Sequence, residues 1–147
     1  MSRILLAVLL LLVPEPTIAS ARSDLRGQVE GPVEAELISV IDGDTLLVEA
    51  RPWPQHRVIV LVRIRGIDAP ELRSKCESAR RAAARAKERL ADLAHGRIRL
   101  INITGDKYFG RVVADVSTDD ADDIGASLLA QGLVKAYDGG RRKAAQC

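Results

Sequence analysis

The chain has 147 residues, with 22 Lys and Arg against 20 Asp and Glu, so its net charge is only +2. So even a balance does not mark a chain-wide nucleic-acid binder, and any such surface has to be local. The length suffices for one domain with a real core. The first segment stands apart from the rest. Arg3 gives a positive start, Ile4 to Val13 run apolar without a break, Pro14-Glu15-Pro16 stops the run, and Ala19-Ser20-Ala21 is a small-x-small cleavage pattern. The apolar run falls short of the roughly 20 residues a membrane span needs. A buried N-terminal helix is the plain alternative, but charge, Leu/Val monotony, position and cleavage pattern together predict an export signal over 1–21. The mature chain then starts at Arg22 and is destined for the periplasm or the medium. In an oxidising compartment its two cysteines, Cys76 and Cys147, are expected to form a disulfide. That bridge would close a loop of about 70 residues, worth on the order of 4 kcal/mol in the chain-entropy model.

Residues 22–33 are polar and glycine-bearing and predict a flexible N-terminal arm ahead of a domain over 34–147. From Val33 an apolar-rich run leads into Asp42-Gly43-Asp44-Thr45 and out through Leu46-Leu47-Val48, which is the pattern of a β-hairpin. The two prolines of Arg51 to His56 make a loop. Arg57 to Ile67 is the strongest strand signal, and Val62 and Ile64 alternate with Arg63 and Arg65, so the arginines face away from the core. Ser74 and Glu77 match a capping box. Behind them Ala79, Ala83, Ala86, Leu90 and Leu93 mark one apolar helical face, ended by Gly96. Arg97 to Ile103 and Arg111 to Val116 alternate as two more strands. The acidic run Ser117 to Asp123 opens a second helix, which Gly132 stops, and a short strand and a basic tail follow. Short antiparallel strands with a helix inserted predict an α+β fold: a five-stranded oligonucleotide-binding-type β-barrel with two or three packed helices.

Two places gather acids against apolar runs: the Asp42-Gly43-Asp44 turn and Asp68 to Glu71, at the end of the strong strand. A turn needs one Asp and a Gly; the second Asp is either incidental or a ligand. If the turn lies beside the strand end, Asp44 and Asp68 supply two carboxylates to one hard cation such as Ca²⁺. An EF-hand is excluded because Leu46 and Leu47 fall where an acid and a glycine are required. The histidines His56 and His95 and the two cysteines show no zinc-ligand spacing. Glu71 is close in sequence to such a metal and able to act on a water, while Arg63 and Arg111 are placed to converge on an anion. That combination is what phosphoryl transfer uses. Each piece has a bland counterpart in a turn, a solvated arginine or a strand end.

Taken as an ordered set, VIDGDT, VRIRGIDAPE, DKYFGR and LLAQGLVKAY resemble the staphylococcal-nuclease-like (thermonuclease) family over roughly Glu36 to Tyr137. The resemblance implies a five-stranded oligonucleotide-binding barrel with packed helices. It implies that Asp44, Asp68 and the backbone carbonyl of Ala69 bind Ca²⁺, with Asp42 nearby. Glu71 would be the general base or the residue that positions the water, Arg63 and Arg111 the phosphate clamp, and Lys107 and Tyr137 substrate contacts. Arg65 has no catalytic counterpart, so solvent or a backbone phosphate is its expected contact. The chain departs from the family's best-known member in three ways. Phe109 adds a residue before Gly110-Arg111, the stacking tyrosines are reduced to Tyr137, and the chain ends soon afterwards, where a Cys76–Cys147 bridge would tie down the shortened end.

The expected function is therefore that of a secreted or periplasmic Ca²⁺-dependent nuclease. It would be a monomer without stable membrane association, hydrolysing single-stranded or denatured DNA and RNA to 3′-phosphate ends. Affinity would come mainly from phosphate contacts and fall with salt. The alternative is a nuclease-like barrel without catalysis that binds nucleic acid or protein.

Overall fold

The computed structural model describes residues 27–140. The export signal over 1–21, the start of the arm at 22–26, the basic tail and Cys147, with the bridge expected from it, lie outside the described residues.

Period-two alternation builds the core from several strands at once. The strands are β1 (Gln28–Val29), β2 (Val33–Asp42), β3 (Thr45–Arg51), β4 (Val58–Ile64), β5 (Ile67–Asp68), β6 (Ile98–Gly105), β7 (Arg111–Ser117) and β8 (Lys135–Ala136). Val33 and Ala35, Leu46 and Val48, Val62 and Ile64, Ile98 and Leu100, and Ala114 and Val116 are all buried in a single cluster. Strand β6 pairs with β2 through Val33 and Leu100 and also with β7 through Leu100 and Val116. The order β6-β2-β3-β4-β7 therefore closes on itself as a five-stranded barrel, which leaves no edge exposed. Neighbours in the barrel are antiparallel except β4 and β7, which run parallel with Leu61 opposite Arg111.

The expected flexible arm is paired from Gln28 onward. β1 adds to β6, and the Glu30 carbonyl accepts from the Asn102 backbone N–H at 2.8 Å. Asn102 lies in a register shift of β6 with φ +52°, where the ladder between β6 and β7 is interrupted. Arg65 spans this interruption. Its Nη2 donates to the Asn102 carbonyl, to the Val113 carbonyl at 3.1 Å and to Thr104 Oγ1 at 3.2 Å. Arg65 thus braces the barrel wall where solvent or phosphate was expected.

The strong strand read over Arg57 to Ile67 is broken at Gly66 (φ +76°), beyond which β5 pairs with β8 and not with the barrel. Helix α1 (Glu77–Leu93) packs Ala83, Ala86 and Leu90 inward, as their spacing predicts. Its start corrects the capping-box reading. Cys76 is the N-cap, Glu77 is the first helical residue, and Ser74 Oγ is occupied by the Cys76 N–H at 3.2 Å. Helix α2 (Ile124–Ala130) likewise starts later than the acidic run suggested. Only Asp123 caps it, accepting from the Ala126 N–H at 2.9 Å.

Candidate active site

The Asp42–Thr45 turn is not a solvent-facing tip. Asp42 pairs with Thr45 across it, and a Cβ on Gly43 would lie 2.7 Å from Ala86 Cβ of α1 and 2.8 Å from Ala69 Cβ. Only glycine lets the helix and the strand end close over the turn. Asp44 is in consequence 2% exposed. Its Oδ1 accepts from Thr45 Oγ1 at 2.9 Å and from Arg63 Nη1 at 2.7 Å, and its Oδ2 accepts from the Ala69 N–H at 2.9 Å. The Asp44 N–H in turn donates to Asp42 Oδ1 at 3.0 Å. Burial first, and then the Asp44 charge, push the Asp42 carboxyl up from its ordinary value.

Arg63 joins the two acid clusters. β4 pairs with β3 so that Arg63 stands opposite Thr45, directly beside the turn. Its Nη1 holds Asp44, and its Nη2 donates to the Ile67 carbonyl at 3.0 Å and to Asp68 Oδ1 at 3.1 Å. These bonds take three of the five donors of a guanidinium, leaving at most two for a phosphate. The side chain is buried, with 7% exposure for the residue. Burial alone would lower its pKa, but the charges and hydrogen bonds of Asp44 and Asp68 more than offset that and raise it. Tyr137 is brought over the same guanidinium, ring centroid to Cζ 5.6 Å, by the β5–β8 pair and by its own N–H on the Gly66 carbonyl at 2.8 Å.

The second arginine comes from the β6–β7 turn. Arg111 opens β7, its Nε is bound to Asp106 Oδ2, and its guanidinium lies 4.7 Å from the Tyr108 ring centroid. Burial pushes the Asp106 carboxyl up, but the hydrogen bonds from Arg111 and the Lys107 N–H, with the charges of Arg111 and Arg63, outweigh it and hold it below its ordinary value. Sequence reading passed over Asp106, although its position five residues before Arg111 was the available signal. Arg63, Lys107, Tyr108, Arg111 and Tyr137 line one cleft of about 1250 Å³. Neither Asp44 nor Asp68 lines it, so Arg63 touches the acids and borders the cleft at once. Glu71 lies exposed just past Pro70, on the stretch that leads from β5 to α1.

The site residues expected from sequence thus fall into two groups. Asp44, Arg63, Asp68, Ala69 and Tyr137 are directly linked, and Lys107 and Arg111 share the cleft with Arg63 and Tyr137 alone, while Glu71 is exposed on the stretch after β5. A family model described as staphylococcal nuclease homologue matches residues 61–146, more than half of the chain. The chain belongs to that family. A search of curated proteins finds no match. The matched segment holds Arg63, Asp68, Glu71 and Arg111, whereas Asp44 lies before it and is joined to it by its hydrogen bonds with Arg63 and the Ala69 N–H.

Among the described residues no three acid, His or Cys side chains converge on one point. The expected calcium set needs only two carboxylates and a backbone carbonyl. Asp44 reaches the Arg63 guanidinium from the β2–β3 turn and Asp68 reaches it from β5, and every donor of the set is an oxygen. That chemistry fits a hard cation.

Proposed function

We propose that the chain is an exported, calcium-dependent nuclease of single-stranded or denatured DNA and RNA that leaves 3′-phosphate ends. The observation that carries this reading is the convergence of Asp44 and Asp68 on Arg63, at the edge of a cleft that also holds Arg111. Asp44, Asp68 and the Ala69 carbonyl would hold Ca²⁺, which when bound supplies positive charge against the phosphate. Arg63 and Arg111 bind the non-bridging phosphate oxygens, and Lys107 and Tyr137 hold the neighbouring nucleotide. The Glu71 carboxylate accepts a proton from the attacking water. The water oxygen bonds to phosphorus as the bond to the 5′ oxygen breaks, and that oxygen leaves as a hydroxyl by taking a proton from solvent water, while Glu71 returns its own proton to solvent. Export would follow from residues 1–21, delivering a monomer to the periplasm or medium without stable membrane association. Among the described residues no helix is long and apolar enough to cross a membrane. A Cys76–Cys147 disulfide, with Cys76 buried at the α1 N-terminus, would secure the end of the chain.

The test is cleavage of denatured DNA with Ca²⁺ and with chelator, beside Glu71→Gln. Calcium-dependent cutting that falls about 10²–10⁴-fold in the variant is expected. Three of the five Arg63 donors are taken by Asp44, Asp68 and the Ile67 carbonyl, and that engagement favours a second reading, a barrel that binds nucleic acid without cutting it. Salt-sensitive binding with no cleavage in Ca²⁺ would select that one.

A further inference from the structure

The β6–β7 turn carries a side chain that the proposed reaction does not use. Phe109 is 110% exposed, the most exposed of the large hydrophobic residues among those described. The turn that presents it is braced on several sides. The Asp106 N–H donates to the Arg111 carbonyl at 3.2 Å, the Arg111 N–H donates to the Tyr108 carbonyl at 3.3 Å, and the Asp106 carboxylate takes the Lys107 N–H at 2.6 Å as well as Arg111 Nε. Gly110, at φ +82°, turns the chain back into β7. Phe109 is therefore held out on a fixed loop, and the residue before it is already committed. The Tyr108 ring has Lys107 Nζ at 5.1 Å and Arg111 Cζ at 4.7 Å.

The surroundings specify what Phe109 would meet. Because β4 and β7 are parallel, their first residues lie at the same end of the barrel, and the Leu61 N–H donates to the Gly110 carbonyl at 3.3 Å. Arg111, two residues after Phe109, stands opposite Leu61; Ile59, two residues before Leu61 on β4, is 66% exposed, and Trp53 in the loop that leads into β4 is 57% exposed. This end of the barrel thus combines apolar, partly aromatic surface with the cations Lys107 and Arg111. An occupant needs flat apolar faces and negative charge at nucleotide spacing, and an unpaired nucleic-acid strand has both. Lys107 and Arg111, which in the proposed reaction hold phosphate and nucleotide, put the same strand within reach of this surface.

We propose that Phe109 is a base-stacking platform that extends the track of a single strand outward from the Arg111 clamp. It rests on the nucleic-acid reading above. Phosphates lie on Arg111 and Lys107, and the adjacent base lies flat on Phe109. In a duplex that base face is covered by its neighbours, so the platform selects single strands. The residue added to the turn becomes a substrate contact.

The test is fluorescence anisotropy of the full chain with a labelled oligothymidylate of about ten nucleotides, a length within single-strand site sizes, in chelator so that nothing is cut. Phe109→Ala should bind about tenfold more weakly, in line with the loss of one stacked base. Phe109→Leu should weaken binding as Phe109→Ala does, Phe109→Trp should retain it, and the salt slope should not change because no phosphate contact is removed. Native affinity in Phe109→Ala or in Phe109→Leu would overturn the platform. So would a concentration-dependent dimer that Phe109→Ala abolishes, since a second copy would then cover the patch. A native chain that binds the strand but does not cut it in Ca²⁺ removes the hydrolytic reading and leaves the platform. A chain that cuts, with Phe109→Ala binding normally, removes the platform alone. No binding by the native chain in chelator removes the platform, and no cutting in Ca²⁺ beside it removes the hydrolytic reading as well.

Discussion

Two turns of this barrel carry the same pairing of an aspartate with an arginine and use it in opposite ways. In the β2–β3 turn Asp44 is sealed beneath α1, and Arg63 is held by Asp44, Asp68 and a backbone carbonyl. In the β6–β7 turn Asp106 holds Arg111 alone, on a loop whose neighbouring aromatic rings are exposed. The difference lies in the sealed Asp44 and in the number of acceptors on each arginine, three on Arg63 against one carboxylate on the half-buried Arg111. Removing a partner from a buried network leaves an uncompensated charge, whereas near the surface water takes the partner's place. The first turn is thus built for fixed geometry and the second for contact with something outside the molecule.

The sharpest way to break this comparison is to delete each arginine in turn. Arg63→Ala strands Asp44 and Asp68 and should lose about 3–5 kcal/mol of stability. Arg111→Ala should lose about 1 kcal/mol or less. Denaturant midpoints measure both, and Arg63→Lys keeps the test open if the alanine variant does not fold. Ca²⁺ should raise the midpoint of the Arg63 variants more than that of the native chain, and chelator should cancel the gain. Equal losses in the two alanine variants would mean that the turns do not differ. Next in size is Gly43→Ala. Its Cβ meets Ala86 and Ala69 well inside contact distance, so an overpacking loss of about 1–3 kcal/mol is expected by the same measurement.

How far such features could be read from sequence depended on the range of the interaction. The alternation of Val62 and Ile64 with Arg63, and the spacing of Ala83, Ala86 and Leu90, are local periodicities, and both are met by the fold. Asp44 and Asp68 stood out because each adds an acid that local structure does not require. Arg63 was read correctly as facing away from the core strands, but its burial was not, since that depends on Thr45 standing opposite it across a hairpin. Gly43 looked like an ordinary turn glycine because the helix that presses on it is some 40 residues away in sequence, and chain separation of that order leaves no local trace. Ser74 failed as a cap for a local reason: its hydroxyl accepts from Cys76 two residues on, which starts the helix later. Arg65 looked solvated because the gap it spans is created by an irregularity in a distant strand.

The smallest effect probes the exposed turn alone. The Asp106 carboxyl is held below its ordinary value of 3.8, so its folded pKa is depressed. Its contribution to stability is then fully present above that value and is lost as pH falls through the folded pKa. Arg111 Nε is on Oδ2 and the Lys107 N–H on Oδ1, so Asp106→Asn removes the charge and, like the protonated acid, leaves a carbonyl oxygen for only one of the two donors. The variant should be less stable than the native chain by up to about 1 kcal/mol at neutral pH. The gap should hold down to about pH 5, narrow below 3.8 and shrink in high salt. A gap that persisted at low pH would assign the stabilisation to hydrogen-bond geometry and not to charge. The hydrogen bonds that brace the β6–β7 turn, and not the charge on Asp106, would then set the position of Arg111.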